Sequence, residues 1–423
     1  MTKYRIIGNM TGNSMDALDF VLTEFDGDKM TDICAYSQEY DSAMQNKIEA
    51  LRRLVYNKTY LEIENLPLFH QIHDEYIQGV AQAINRMCEL QHLDKSQITA
   101  IGFHGKTLDH NPPSKAHRNG DMPYTLQMGS GAMLADLTGI DVVYDFRSAL
   151  LMNGFEGAPL VPPHNAHIAQ SEGDGIYYNG GNTSNFALVH NQVALIGSDA
   201  GPFNEYIDSF VRSYSDCSFD EDGKLGRHGR IIEPLLHKIF ELGEGFYTSP
   251  LPRSGDPAYY RKTELFDYVR AQGYNFADAL RTFEYSAAYI AAYTLAQVPD
   301  SITLPERIIL FGGGWKNPLV LADFQQILSG NGLILPAHRS IFAALHSRFK
   351  QAPIIAYSSF GKYMEARLFA DMARYFLEDR VWELAEVISS GKHIVCGRIA
   401  HPEQGRNRYL DKVNLAAKGW QYR

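Results

Sequence analysis

Among the residues of this 423-residue chain whose types and spacing suit chemistry, Asp199 has the most telling neighbours. It stands in Ala194–Asp208 (ALIGSDAGPFNEYID), where an apolar run gives way to small residues and then to a helical pattern. Ala200-Gly201 let another group approach the backbone closely, and Pro202 suits a first helical turn. A helix start offers free N–H groups and the positive end of a dipole, which favour an anion such as phosphate. A carboxylate beside that anion can take a proton or hold a metal ion. The competing reading of Asp199 by itself is a helix cap.

Other glycine turns resemble this one. Gly12, Asn13 and Ser14 (in MTGNSMD) form a tip able to wrap a phosphate, with Asp16 or Asp19 near an attendant cation; an ordinary hairpin turn explains the tip equally. Gly180-Gly181 sits in NGGNTSN, and Gly312-Gly313-Gly314 in FGGGWKNP after an apolar strand; the latter is either a cradle for a flat or phosphorylated group or a plain turn. His104 follows a strand at Ile98–Phe103, where open α/β sheets place ligand contacts, against the alternative of a surface histidine.

Composition narrows the class. The length exceeds what one core usually fills, so two lobes are expected. A hydrophobic share of 45% fits a globular chain, and a net charge of −10 disfavours a general binder of nucleic acid or anionic membrane. Cys34, Cys88, Cys217 and Cys396 show no CxxC spacing and read as reduced thiols. No leader pattern precedes the first strand and no apolar run reaches the ~18 residues of a membrane span, so a cytoplasmic protein is expected.

The elements that position these residues read as two similar halves. Strands at Lys3–Met10, Ala17–Glu24 and Thr31–Glu39 form a meander; helices follow at Asp41–Tyr56 and Leu66–Gln91. Asp109–Met122 reads as an exposed loop, Leu126–Thr138 as a helix and Asp141–Phe146 as a strand; Gly154–Pro163 is too rich in Gly and Pro for a regular element. A second meander uses Gly175–Tyr178, Phe186–His190 and Val193–Ile196. Helices are expected at Ile231–Phe240 and Asn275–Leu295, then a strand at Arg307–Phe311, a last strand at Ala352–Ser359 and a helix Lys362–Glu378 carrying Glu365. An architecture repeated without residue-level repetition is what a duplicated nucleotide-binding fold shows.

Two lobes opening on meanders, with small-residue turns in these places, resemble the actin-like ATPase and sugar-kinase superfamily. IGNMTGNSMDALD is similar to the opening motif of 1,6-anhydro-N-acetylmuramic acid kinases. AIGFHGKT, TGIDVVYDFR, EGAPLVPP, SDAGPFNEYID, FGGGWKNP, YMEARLFA and IVCGRI continue the likeness over nearly the whole chain. It implies a two-lobed α/β fold of the actin-like ATPase (ribonuclease H-like) type with an interlobe cleft. The lobes are expected at 1–145 and 146–423, with the final segment packing back on the first.

The resemblance also implies an enzyme that uses ATP and Mg2+ on an anhydro sugar, in amino sugar and peptidoglycan recycling. ATP would lie on Gly12, Asn13, Ser14, Met15, Asp16, Ala17, Leu18 and Asp19, on Gly180, Gly181 and Gly201, and on Gly312, Gly313, Gly314 and Asn317. Asp199 would be the general base, with Glu365 as its catalytic companion, both near magnesium. His104, Lys106, Arg147, Glu156, Gly157 and Pro159 would border the sugar. Partners are the sugar and ATP, with no nucleic acid and no membrane; a homodimer is left open. The chain departs from the family pattern at Asn13 (threonine there), Ala17 (glycine), Lys106 (glutamine), Ser148–Leu150, GGNTSN, Ser254–Pro257 and Glu156 (glutamine). Several of these fall on the sugar side, so the alternatives are a kinase of another sugar or a non-catalytic ATP-binding member.

Overall fold

The computed structural model describes residues 3–11, 17–56, 58–113, 122–255, 260–349 and 352–402. They belong to two compact units, one drawn from Met1–Leu160 and Tyr363–Arg423, the other from Val161–Lys362. The division falls inside the Gly- and Pro-rich segment, and the described residues from Tyr363 onward belong to the first unit.

The first unit is built on a six-stranded sheet. β1 (Lys3–Thr11), β2 (Ala17–Asp26) and β3 (Lys29–Glu39) form the expected antiparallel meander. β4 (Ala100–Phe103) then joins β1 in parallel. β5 (Lys106–Asn111) and β6 (Tyr124–Met128) form a separate antiparallel pair. β7 (Val142–Tyr144) adds to β4 in parallel, and Arg398–Ala400 closes that edge antiparallel to β7. Because side chains alternate across a strand, Ile7 and Ile101 enter one core with Ile48, Ile77 and Leu134 from three helices. Gly8 and Gly102, one residue on, face the opposite way. There the helix Met364–Leu377 lies with its backbone directly on the sheet.

Two expectations fail in this unit. Asp109–Asn111 is strand rather than exposed loop, and Leu126–Met128, read as the start of a helix, belongs to the strand Tyr124–Met128. The polar residues of β5 misled because they are satisfied internally: the Tyr124 hydroxyl donates to Asp109 Oδ2 at 2.6 Å. The helix begins only at Gly131, where the Ser130 hydroxyl accepts from the Met133 N–H at 3.2 Å.

The second unit repeats the plan. β8 (Gly175–Gly180), β9 (Thr183–His190) and β10 (Val193–Pro202) form a meander; β11 (Arg307–Phe311) pairs in parallel with β8, and β12 (Ile354–Tyr357) with β11. The order β10-β9-β8-β11-β12 matches β3-β2-β1-β4-β7 strand for strand. A meander extended on its first strand by parallel strands, present twice, is the ribonuclease H-like topology of the two-lobed actin-like ATPases. The helix Phe276–Ala296 runs through the core, burying Phe283, Tyr289 and Ile290.

Three differences lie here. The segment read as irregular through Pro163 turns helical at Val161, where the unanticipated helix Val161–Glu172 begins, its prolines tolerated in a first turn that needs no N–H donor. β10 was expected to stop at Ile196 but continues through SDAGP, so Pro202 ends a strand and the helix starts at Asn204. Helices Lys262–Ala271 and Arg339–Arg348 were not anticipated, since only short apolar sets (Leu265, Phe266, Val269; Phe342, Leu345) mark them. Among the described residues no helix is long and apolar enough to cross a membrane, and all four cysteines are free.

Helix-on-strand contact makes a stability prediction. At Gly8 an added Cβ would overlap the Ala366 carbonyl, whereas at Gly79, inside the helix Pro67–Leu90, it would meet nothing within 4 Å. Gly8→Ala should destabilise the protein by roughly 2 kcal/mol or more, and Gly79→Ala should stabilise it by about 0.5–1 kcal/mol. Paired urea or thermal melts of the two variants check this.

Candidate active site

Asp199 is not a helix cap. It lies within β10 opposite Asn185, at a register irregularity that ends at Gly201, the kind of bulge that re-aims a side chain. Its N–H donates to the Arg253 carbonyl at 3.0 Å, and its Oδ2 accepts from the Gly255 N–H at 2.7 Å. Ser198 adds to this anchor, its Oγ accepting from the Arg253 N–H at 2.9 Å. The carboxylate is half-buried and held by backbone from a distant, Pro-rich segment, which no local pattern announced.

The glycine turns meet because β8 and β11 are neighbours: Asn179 stands opposite Phe311, and each is followed by glycine, Gly180 and Gly312, on the same side. Parallel sheets bind ligands at such carboxyl ends. Gly312 has φ of 91°, and a Cβ there would come within 2.5 Å of Asn179 Oδ1. A Cβ at Gly180 would press on the Trp315 ring at 2.7 Å; that ring is fixed by its Nε1–H donating to the Tyr178 carbonyl at 3.1 Å. Gly313 is different: it is exposed and has nothing within 4 Å. Gly180 makes room for the Trp315 ring, Gly312 lets its backbone pack on Gly180 and Asn179, and Gly313 presents bare backbone outward.

The helix Asn204–Tyr214 does not offer the free N–H groups expected of it. The N–H groups of Phe203 and Glu205 donate to the Asn182 carbonyl at 2.8 and 3.2 Å, and that of Asn204 to the Gly181 carbonyl at 3.1 Å. The NGGNTSN turn has already taken the place of an anion there. Gly201, with φ of 143°, faces Ile290 and Tyr247 in the core rather than a ligand. Asn317 caps the helix Pro318–Leu328, Oδ1 accepting from Leu319 N–H at 3.0 Å, while its amide donates to Glu284 Oε1 at 2.8 Å.

In the first unit the structure gathers most of the expected sugar-side residues. His104 ends just past β4, buried, its ring stacked on Phe369 with centroids 4.5 Å apart. Nδ1–H donates to the Gly105 carbonyl at 2.9 Å, which leaves Nε2 to accept from Arg147 Nε–H at 3.1 Å. Burial first, and the Arg147 charge second, hold this imidazole well below its ordinary pKa, so it is neutral. Arg147 also donates from Nη1 to the Gly157 carbonyl at 2.6 Å, and the His110 Nε2–H donates to the Glu156 carbonyl at 3.0 Å. The loop of Glu156, Gly157 and Pro159 is thereby clasped to β5.

Lys106 begins β5 fully buried. Burial, helped by Arg52, pushes its ammonium down to about 7 against the attraction of Glu365 and Glu49. Glu365, in the first turn of Met364–Leu377, is pushed up by burial and by Asp19, and drawn down by Lys106 and Arg147. Asp19, Lys106, Arg147 and Glu365 therefore share one electrostatic neighbourhood. Ala17 and Leu18 start β2, with Leu18 in the core; Gly12, Asn13, Ser14, Met15 and Asp16 lie outside the described residues. Phe369, Trp315, Asn182 and the Arg253–Gly255 clamp were given no role in advance, although each touches a stretch singled out in the sequence: YMEARLFA, FGGGWKNP, NGGNTSN and Ser254–Pro257.

The Lys106 environment gives a direct test. Its amine should be charged below and neutral above a midpoint near 7, far from the ordinary 10.5. NMR of protein labelled at lysine Cε should show one resonance titrating there and its loss in Lys106→Met.

Comparison with known proteins follows the same lines. The family model for anhydro-N-acetylmuramic acid kinase matches residues 4–344. The anhydro-N-acetylmuramic acid kinase of Vibrio vulnificus strain CMCP6 is 28% identical over 397 residues, covering 92% of this chain and 96% of the relative. That of strain YJ016 is 30% identical over 334 residues, 78% of this chain and 84% of the relative. Among solved structures, a ROK family glucokinase from Streptomyces griseus aligns over 88% of this chain and 99% of its own, at 14% identity and a TM-score of 0.34, too loosely to add to the topology. With both the motif order and the family match spanning most of its length, the chain belongs to the anhydro-N-acetylmuramic acid kinase family of ATP-dependent sugar kinases.

Proposed function

We propose that this chain opens the 1,6-anhydro bridge of an anhydro sugar with water and phosphorylates the released O6 from ATP, with 1,6-anhydro-N-acetylmuramic acid as substrate. Asp199 takes a proton from water, whose oxygen bonds to the anomeric carbon as the C1–O6 bond breaks. O6 then attacks the γ-phosphorus of ATP in line, ADP leaves, and Asp199 releases its proton to solvent. The proposal includes a cytoplasmic role in recovering amino sugars from peptidoglycan.

The observation that carries this reading is the mounting of Asp199. A carboxylate fixed by the Gly255 N–H, on the sheet that ends in the two glycine turns, is oriented rather than merely present. A base needs that fixation, because its geometry must be set before its pKa matters. His104, neutral with both ring nitrogens engaged, orients Arg147, and Arg147 and the clasped Glu156–Pro159 loop are the groups this reading sets beside the sugar. ATP is assigned to the Gly180-Gly181 and Gly312–Gly314 turns and to the Gly12–Asp19 turn. Magnesium is the metal of this reading, with Asp199 and Glu365 as its expected ligands. They are hard oxygen donors, and the mutual repulsion of Asp19 and Glu365 is of the kind a cation relieves. Bound there, magnesium would neutralise phosphate charge.

Asp199→Asn keeps the shape and removes the proton acceptor. Turnover on the anhydro sugar should fall ~10²-fold or more, with ATP affinity changed far less. Retention of more than about a tenth of the wild-type rate contradicts the base role. Gly313→Val, free of clashes in the protein itself, should leave the melting temperature unchanged and weaken ATP binding. Unchanged nucleotide affinity in that folded variant would remove the turn from the ATP site.

A further inference from the structure

Beneath the Gly312–Gly314 turn lies a buried polar network that the chemistry above does not use. Glu284, in the middle of the helix Phe276–Ala296, is fully buried. Its Oε1 accepts from the Asn317 amide at 2.8 Å, and Asn317 in turn caps Pro318–Leu328 through Leu319 N–H at 3.0 Å. Its Oε2 receives no N–H or O–H from any described residue. Gly226 packs directly on the carboxyl, so closely that a Cβ there would overlap it. The neighbour across that contact is Asp220, also buried, whose two oxygens accept from the Leu225 and Gly226 N–H groups at 2.8 Å each.

Two buried carboxyls side by side cannot both ionise. Asp220 accepts from two backbone N–H groups, whereas Glu284 has only the Asn317 amide. We propose that Glu284 is a positioning residue for the nucleotide turn, its neutral carboxyl donating Oε2–H to Asp220 while Oε1 receives Asn317, so that loop 220–226, the central helix and the Gly312–Lys316 turn are locked as one piece. The inference rests on the assignment of ATP to that turn.

Charge around Glu284 agrees. Burial first, then Asp220, raise its pKa to about 8, against the pull of the Asn317 amide and of Arg281 on its own helix. Arg281 is itself engaged by both oxygens of Asp323, at 2.7 Å each, from the helix Pro318–Leu328, so it is not free to neutralise Glu284. The remaining charged groups of loop 221–228 are exposed. The proton is therefore present at neutral pH. It is lost as pH rises through about 8, when two carboxylates would face each other and the cap would loosen.

The test compares Glu284→Gln with Glu284→Ala in the full chain, reading KM for ATP, kcat, melting temperature and pH dependence. Gln can both accept from Asn317 and donate to Asp220, so it should keep KM for ATP within about twofold of wild type at pH 7. In wild type that KM should climb severalfold between pH 7 and 9; in Glu284→Gln the climb should be absent. Glu284→Ala should raise KM for ATP about tenfold with a much smaller change in kcat. Asn317→Ala should do the same, and the double variant should add little, because both remove one connection. A Gln variant as impaired as Ala, or one that keeps the wild-type pH dependence, would overturn the neutral-donor assignment. An Ala variant with unchanged KM would overturn the positioning role. Should Glu284→Ala not fold, the Gln pH comparison and Asn317→Ala decide alone. If instead wild type itself fails to bind ATP, or Gly313→Val leaves its binding unchanged, the turn's assignment has failed rather than this inference.

Discussion

The parallel pairing of a meander's first strand with the strand that follows it is the constraint on which the rest of this protein depends. It occurs as β1 with β4 and as β8 with β11, and each pairing brings two strand ends together on one side of a sheet. Ends that close leave little room for side chains. In the second unit Gly180 and Gly312 resolve the crowding, with Asn179 and Trp315 filling the volume they vacate. In the first unit the same economy acts on the sheet face, where Gly8 and Gly102 admit the backbone of Met364–Leu377. That helix carries Glu365 and Phe369, so the packing that stabilises the unit also delivers a carboxylate and the ring on which His104 rests.

Asp199 illustrates how a strand can do what a helix start was expected to do. Its neighbours in sequence suggested a cap over an anion site, yet the helix N–H groups are already paired with the Gly181 and Asn182 carbonyls. The carboxylate is instead held by a segment more than fifty positions away, through Gly255. Such an anchor leaves one oxygen's position set by backbone geometry. Orientation by backbone costs no side-chain entropy at the moment of reaction, which is the general advantage of preorganised polar groups.

Much of this was legible in the sequence because backbone requirements leave strong marks. Glycine runs after apolar strands located the turns around Gly180 and Gly312, and alternating apolar residues located both meanders. Motif order carried the family assignment. What stayed hidden depended on partners distant in sequence. The end of β5 from Asp109 looked like a solvated loop because its residues are polar, but Asp109 is buried with its oxygens accepting from the Tyr124 hydroxyl and the His110 N–H. The extension of β10 through SDAGP was masked by Pro202, which is tolerated at a strand's end as readily as in a first helical turn. Glu284 gave no sign of its role, since a lone glutamate in an alanine-rich helix reads as an ordinary helical residue until Asp220 and Asn317 are seen beside it.

The central claim is that water opens the 1,6-anhydro bridge and the freed O6 takes the phosphoryl group. It is tested most directly by running the reaction with ATP and 1,6-anhydro-N-acetylmuramic acid in water enriched in oxygen-18, then analysing the products by mass spectrometry and phosphorus NMR. The expected product is a sugar 6-phosphate labelled at the hydroxyl on C1, with an unlabelled phosphate and one ADP per bridge opened. Label appearing in inorganic phosphate, with the anhydro sugar recovered intact, would contradict it.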